Sequence, residues 1–189
     1  MAAPAVDVLV WGATGYTGRL VAEHLARTYT GAGAAAAGVK PVTWALGGRN
    51  SAKLEAVRAE LAAIEPAAAS VPLVIADAAD PAGLAAAVRG AKVVLTTAGP
   101  YAALGTPLLA ACVAERAHYV DLTAEVPWMR AVRAAYGEEA AKAGVKVVHC
   151  GGFDSVPTDL LTFMLADTVR SRNGGTPCVG RVTTIFEDG

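Results

Sequence analysis

Residues 8–18 read Val-Leu-Val-Trp-Gly-Ala-Thr-Gly-Tyr-Thr-Gly, and this stretch decides the fold. A β-rich apolar run ends at Gly12, and further glycines at positions 15 and 18 lead into a helix-compatible segment. Such glycines permit a tight turn, let the backbone approach phosphate closely and let the helix pack on the strand. The free N–H groups and the positive dipole end of that helix would face an anion. The stretch predicts a dinucleotide pyrophosphate site, although its spacing is G-x-x-G-x-x-G rather than G-x-G-x-x-G, and a tight turn without a ligand is the alternative.

Apolar runs alternate with helical patterns along the rest of the chain, which is typical of a parallel sheet covered on both faces. The predicted strands are residues 6–11, 42–46, 73–76, 93–97, 119–122 and 145–149. We therefore predict a doubly wound α/β sheet of the Rossmann type over residues 1–155. Residues 156–189 are predicted to be a linking helix and the first strand, at 180–187, of a truncated second α+β domain.

Capping and turn residues predict where the intervening helices begin and end. Asp80 and Ser51 are each expected to cap a helix, and Thr106-Pro107 is expected to open another. The Ala/Gly-rich segment at 31–38 is interpreted as a flexible surface loop with no chemical task.

Composition excludes several functional classes. The chain has 189 residues, a formal net charge of -1 and three widely spaced cysteines without a C-x-x-C pair. No basic stripe indicates nucleic-acid binding, no cysteine pattern indicates a zinc site or a disulfide framework, and no apolar run approaches the ~20 residues that span a bilayer. With no room for a signal peptide before the first strand, we predict a cytoplasmic protein.

The end of the second predicted strand carries the signal for cofactor choice. An acidic residue here would bind the ribose hydroxyls of NAD, whereas an arginine favours the 2′-phosphate of NADP. Arg49 occupies this place, Ser51 and Lys53 are nearby helpers, and no acid occurs between residues 24 and 54. The alternative is a solvated arginine at a helix start.

Two further strand ends should face the same ligand. Asp77 follows the third strand, where an acid either meets the adenine amino group or leads into a helix. Gly99 and Pro100 follow the fourth strand and would let the loop pass over the cofactor ribose, because ligands bind beyond the carboxyl ends of strands. Tyr101 either lines the nicotinamide pocket or packs in the core.

Polar residues around the last two strands are interpreted mainly as structural. This group comprises His118, Tyr119, Asp121 and Glu125. Asp154 or Ser155 is expected to cap the following helix, with a cleft acid that holds substrate or relays a proton as the alternative. The chain has no Tyr-x-x-x-Lys pair and no G-x-S-x-G, H-E-x-x-H or P-loop motif, so no catalytic residue is assigned.

Five motifs in order resemble the saccharopine dehydrogenase-like oxidoreductases, a family that includes the trans-acting enoyl reductases of lipid synthesis. They are Gly12-Ala-Thr-Gly-Tyr-Thr-Gly18, Gly48-Arg49-Asn50, Ala98-Gly99-Pro100-Tyr101, Tyr119-Val-Asp-Leu-Thr123 and Gly152-Phe-Asp-Ser-Val-Pro157. The departures are the insert at 31–38, Ala124 where relatives often have glycine, and the missing second domain.

The resemblance implies an NADP(H)-dependent oxidoreductase with lipid-derived enoyl, carbonyl or imine compounds as candidate substrates. A non-catalytic NADP sensor or scaffold is the alternative. The resemblance leaves open a homo-oligomer, and mitochondrial, membrane or lipid-droplet locations known among eukaryotic relatives. The predicted cofactor-binding residues are Gly12, Thr14, Gly15, Tyr16, Thr17, Gly18, Arg49, Asn50, Lys53, Asp77, Ala98, Gly99, Pro100 and Tyr101.

Overall fold

A computed structural model describes residues 3–175 of the chain. The chain divides into two compact units, Met1–His149 and Cys150–Gly189. The strands are β1 (Val6–Trp11), β2 (Trp44–Gly48), β3 (Leu73–Ile75), β4 (Ala91–Thr96), β5 (His118–Asp121) and β6 (Val147–Val148). The α-helices are α1 (Tyr16–Tyr29), α2 (Gly31–Ala37), α3 (Ser51–Ile64), α4 (Pro81–Val88), α5 (Tyr101–Ala114), α6 (Val126–Ala143) and α7 (Val156–Arg172), and a 3-10 helix spans Pro66–Ser70.

The first unit is a parallel sheet with the strand order β3-β2-β1-β4-β5-β6. Successive side chains of a strand point to opposite faces, so Leu9 and Val10 of β1 enter two separate cores. One core contains side chains of α4, α5 and α6, and the other contains side chains of α1 and α3. This arrangement confirms the predicted doubly wound fold and places the point where the strand order reverses between β1 and β4.

The second predicted strand was placed two residues too early. β2 begins at Trp44 and continues through Gly47 and Gly48, beyond the predicted end at residue 46. A Cβ atom at Gly47 would lie 2.8 Å from the Trp11 ring, so the glycine makes room for that ring inside the sheet. The glycine therefore serves strand packing here and does not end the strand.

The interpretation of residues 31–38 as a flexible loop was wrong, because residues Gly31–Ala37 form α2. Alanine has the highest helix propensity, and Gly38 ends the helix in the left-handed region at φ 65°. Gly33 packs so closely that a Cβ atom would lie 2.0 Å from the Arg27 carbonyl oxygen, and its N–H donates to the Glu65 carboxylate. The glycines thus permit close packing of a short helix.

The helix predicted to open at Thr106-Pro107 begins earlier, at Tyr101, and contains Pro107 in its interior. The Thr106 hydroxyl accepts a hydrogen bond from the Trp128 indole instead of capping a helix. A proline usually marks a helix start, but Pro107 lies inside α5. The N–H groups at the actual start of α5 donate to a side chain that is distant in the sequence and is described below.

Two capping residues had mixed outcomes. Asp80 caps α4 as predicted, since its carboxylate accepts the Ala82 N–H at 3.1 Å. For α3 the cap is Asn50 rather than Ser51, because the Asn50 side-chain oxygen accepts the Lys53 N–H at 2.9 Å.

The strand predicted at 180–187 lies outside the described residues. Among helices of the described part, none is both long and apolar enough to traverse a bilayer.

Candidate functional site

The N-terminus of α1 presents uncapped backbone N–H groups at the carboxyl edge of the sheet. Gly15 is the N-cap residue and has no side chain to accept from the first turn. The N–H groups of Tyr16, Thr17 and Gly18 have no intrahelical acceptor, because the first residues of any α-helix lack one. Tyr16 and Thr17 are exposed. This helix end is therefore chemically suited to bind an anion.

Close packing explains two of the three glycines in the opening motif. Gly12 has φ 85°, which disfavours any other residue, and a Cβ atom there would lie 3.1 Å from the Ala98 backbone nitrogen. A Cβ atom at Gly18 would lie 2.2 Å from the Gly12 carbonyl oxygen, so α1 packs against the turn only with glycine at this position. At Gly15 the nearest atom would be 3.4 Å away, an ordinary contact. Gly15 therefore leaves open space above the helix end.

A cavity of about 590 Å³ lies at the carboxyl ends of the first four strands. This volume is within the range of small-molecule sites, roughly 300–1,000 Å³. The predicted site residues in its lining are Gly12, Thr14, Arg49, Asp77 and Ala98. The cavity thus brings together residues from four separate strand ends, as expected at the position where the strand order reverses.

Arg49 is the cationic side chain in the lining of this cavity. It is exposed, and no ion pair or hydrogen bond holds its guanidinium to any other residue between 3 and 175. Asn50 beside it is occupied as the cap of α3, whereas Lys53 is exposed on the first turn of that helix. Asp77 accepts the Ala79 N–H at 2.9 Å and also faces the cavity. The arrangement offers an unpaired guanidinium to an anionic ligand.

Tyr101 packs in the core, which is the second of the two alternatives that the sequence left open. Its side chain is buried, its hydroxyl donates to the Thr96 carbonyl at 3.0 Å, and its ring stacks on Trp128. Burial is the main cause that raises the pKa of the Tyr101 phenol to about 12. Gly99 and Pro100 immediately precede this anchored tyrosine and are exposed.

The sequence analysis did not find how the loop between β4 and α5 is held. The Glu125 carboxylate accepts the Tyr101 N–H at 2.7 Å and the Ala102 N–H at 2.8 Å, so it caps α5 from a distance of more than twenty residues. Its own N–H donates to the Thr123 hydroxyl, and the Thr123 N–H donates to Asp121. This chain of bonds fixes the segment after β5 against the loop after β4.

We expect Glu125→Ala to lower the free energy of unfolding by about 1.5–3 kcal/mol, the range for a hydrogen bond to a charged group. The variant leaves the Tyr101 and Ala102 N–H groups without their acceptor at a helix N-terminus. Urea denaturation followed by circular dichroism measures the change. Glu139→Ala on the exposed face of α6 is the matched control, and equal loss in both variants would contradict the capping role.

The expected cap of the last described helix was only partly correct. Ser155 is the N-cap residue of α7, but its side chain makes no capping hydrogen bond. Asp154 is exposed.

Residues 8–148 match the family model of the saccharopine dehydrogenase NADP-binding domain. The chain belongs to this family. Its cofactor is therefore NADP(H), in agreement with the resemblance drawn from the motifs. The residues present fit that cofactor, because the uncapped start of α1, the glycine packing below it and the unpaired Arg49 all lie at one sheet edge.

Curated relatives of this NADP-binding domain are named trans-acting enoyl reductases. One from Mycobacterium tuberculosis is 42% identical over 159 residues, which cover 84% of this chain and 35% of that protein. One from Mycobacterium leprae is 40% identical over 172 residues, which cover 91% of this chain and 38% of that protein. The chain therefore spans less than half the length of these relatives.

Solved structures support the fold of this domain. Apo saccharopine dehydrogenase (L-Glu forming) from Saccharomyces cerevisiae aligns with a TM-score of 0.67 at 19% identity and covers 89% of this chain and 32% of that chain. Citrobacter triphenylmethane reductase complexed with NADP(H) aligns with a TM-score of 0.52 at 18% identity and covers 75% and 48% of the two chains. At these identities the likeness shows the fold alone.

Proposed function

We propose that this chain is the NADP(H)-binding part of an NADPH-dependent reductase, and that it grips the cofactor at the start of α1 and at Arg49. The observation that carries this proposal is the uncapped helix end above Gly15, which shares one sheet edge with an unpaired guanidinium. A reductase of this kind uses the cofactor for the chemistry, whereas the protein positions it and excludes water.

The pyrophosphate would be held by the backbone N–H groups of Tyr16, Thr17 and Gly18. Gly15 keeps a side chain out of the space that the phosphates need, whereas Gly12 and Gly18 are required by close packing of the turn. Thr14 lines the cavity beside this turn and would add a hydroxyl group to the same anion. A hydrogen bond to an ionised group such as a phosphate is roughly twice as strong as a hydrogen bond between two neutral groups.

The adenosine half would lie over β2 and β3. Arg49 would pair with the 2′-phosphate through its planar guanidinium, with Lys53 adding a second positive charge. Asn50 would contribute by fixing the start of α3 beside Arg49, since its side-chain oxygen is occupied there. Asp77 would accept from the adenine amino group with the carboxylate oxygen that Ala79 leaves available.

The nicotinamide half would lie over the loop after β4. Ala98 lines the cavity, and Gly99 and Pro100 would pass over the ribose. Tyr101 would act indirectly, because its buried ring and its bond to Thr96 anchor the loop. Bound NADPH supplies hydride at this end of the site.

The substrate class proposed first is an enoyl compound, because the relatives carry the name trans-acting enoyl reductase. Lipid-derived carbonyl and imine compounds follow from the resemblance. Cytoplasmic, mitochondrial and lipid-droplet locations and a homo-oligomer remain predictions from the sequence.

Turnover tests the reductase directly. We expect this chain to oxidise NADPH when a trans-2-enoyl thioester is added, and the saturated thioester to form in equal amount. The saturated thioester added in place of the enoyl compound is the control and should leave NADPH unchanged. Saturable NADPH binding without oxidation by enoyl, carbonyl or imine compounds would contradict the reductase.

A non-catalytic NADP sensor or scaffold is the second candidate. The same cofactor cavity would serve such a protein, because a fold alone does not determine function. Tight NADP binding without turnover, together with a partner whose capture depends on NADP, would support this candidate.

A further inference from the structure

A buried carboxylate and a histidine meet at the carboxyl edge of the sheet, outside the lining of the cofactor cavity. Strand register pairs Val120 of β5 with Val148 of β6, so the next residues, Asp121 and His149, lie side by side. The His149 Nδ1 atom is 2.7 Å from the Asp121 Oδ2 atom. The Asp121 side chain is 0% exposed and the His149 side chain 14% exposed.

The surroundings hold this pair in one geometry. The other carboxylate oxygen of Asp121 accepts the Thr123 N–H at 3.1 Å. The rings of Trp128 and Tyr119 pack against the imidazole at centroid distances of 5.3 and 6.1 Å. Two aromatic rings in edge-to-face contact and a buried carboxylate therefore fix the imidazole and its orientation, as a carboxylate does for an acid–base histidine.

Within residues 3–175, the hydrogen bond of His149 uses Nδ1, which leaves the second ring nitrogen, Nε2, for another molecule. Because Nδ1 is used by Asp121, proton exchange with a ligand must pass through Nε2. His149 also lies in the lining of an apolar groove of about 530 Å³ between α6 and β6. Val126 and Met129 belong to the same lining, near the start of α6. Asp121 thus holds the imidazole at Nδ1, and the ring can be reached from the groove.

We propose that His149 is the proton donor of the reduction and that Asp121 is its positioning residue. This inference rests on the proposed function. Reduction of an enoyl group requires one hydride and one proton, and the cofactor supplies only the hydride. The Nε2–H bond of the imidazolium breaks, a C–H bond forms at the substrate carbon that carries the negative charge, and neutral imidazole remains. Water then returns the proton to Nε2.

Neighbouring acidic groups in the described part are less available as proton donors. The Tyr101 hydroxyl donates to Thr96, and burial raises the pKa of its phenol to about 12. Burial and then the nearby charge of Asp121 raise the pKa of the Tyr119 phenol far above its usual range. Glu125 is committed to the start of α5. Among these side chains, His149 is the one that lines the groove.

The neutral tautomers of the three histidines test the geometry within one spectrum. We expect His149 to carry its proton on Nδ1, because that atom donates to Asp121. We expect His118 to carry its proton on Nε2, because its Nδ1 accepts the Lys146 N–H at 3.1 Å. Nitrogen-15 NMR of the imidazoles, with exposed His24 as reference, distinguishes the two forms. An Nε2–H tautomer at His149 would overturn the proposal.

Chemical modification tests whether Nε2 can be reached. We expect diethyl pyrocarbonate to modify His149 of the native chain, and Asp121→Ala to shift the His149 tautomer toward Nε2–H. A histidine with a purely structural role in a closed core would not react. Failure to modify His149 under conditions that modify exposed His24 would overturn the proposal.

Turnover separates this inference from the proposed function. We expect His149→Asn to lower the rate of enoyl reduction about 100-fold, the lower end for general acid catalysis, with added imidazole restoring part of it. An undiminished rate would overturn the role of His149 and leave the reductase intact. If the wild-type chain binds NADPH but reduces nothing, the proposed function fails, and the tautomer and modification results still decide whether His149 is a held and reachable acid.

Discussion

A Gly15→Val chain is expected to fold like the wild type and to bind NADP(H) at least about 100-fold more weakly. The nearest atom to a Cβ at this position is the Gly12 carbonyl oxygen at 3.4 Å, and φ of -78° suits any residue, so the fold accepts the side chain. The valine methyl groups would instead fill the space above the helix end. Losing two hydrogen bonds to a charged pyrophosphate costs about 3–6 kcal/mol, and every 1.4 kcal/mol is tenfold in affinity.

Two other glycines provide the controls for this prediction. Gly137→Val places the same side chain on α6, where the nearest atom to its Cβ is 3.8 Å away, and should leave cofactor binding unchanged. Gly18→Ala should instead reduce stability, because its Cβ would lie 2.2 Å from the Gly12 oxygen. Titration calorimetry measures binding and circular dichroism measures folding. Wild-type affinity in Gly15→Val would refute the pyrophosphate site.

Replacing Arg49 with aspartate is expected to reverse the cofactor preference. The change removes the unpaired guanidinium from the cavity and puts in its place a carboxylate, which repels the 2′-phosphate and can accept from the ribose hydroxyls of NAD. Loss of a bidentate pair costs at least about 1.5–3 kcal/mol, so NADPH affinity should fall about 10- to 100-fold while NADH affinity rises.

The control for Arg49→Asp must carry the same change in net charge. Arg133→Asp lies on the exposed face of α6, outside the cavity lining, and should leave the ratio of NADPH to NADH affinity unchanged. Arg49→Lys keeps the charge but loses the planar fork, and an intermediate ratio is expected. An unchanged ratio in Arg49→Asp would show that this guanidinium does not read the phosphate.

The sheet could be predicted from the sequence because its strands are short apolar runs separated by strong turn and cap residues. Asp80 caps its helix as its pattern indicates, and the turn after β1 is where the glycines place it. Two of the errors fall where glycine serves packing rather than a turn. Gly47 lies inside β2 against Trp11, and Gly33 lies inside α2 against Arg27. Trp11 lies far from Gly47 along the chain, and the Gly33 N–H donates to Glu65, 32 positions away, so a local pattern does not contain these partners.

The residues that line the cofactor cavity were easier to predict than the residues that hold the neighbouring loops in place. The place of Arg49 in the cavity lining follows from its position directly after β2, because a strand end lies at the sheet edge where ligands bind. Glu125 and the Asp121–His149 pair depend on strand register and on helix packing. Aspartate and histidine 28 residues apart give no local signal, so the sequence analysis treated Asp121 as structural and assigned His149 no role.

Calorimetric titration of the wild-type chain with NADPH and with NADH, under identical conditions, tests the central claim most directly. If backbone N–H groups at the start of α1 hold the pyrophosphate and Arg49 selects the 2′-phosphate, both nucleotides bind and NADPH binds at least about tenfold more tightly, a difference of about 1.4 kcal/mol. Equal affinities, tighter binding of NADH, or no heat with either nucleotide would contradict the account.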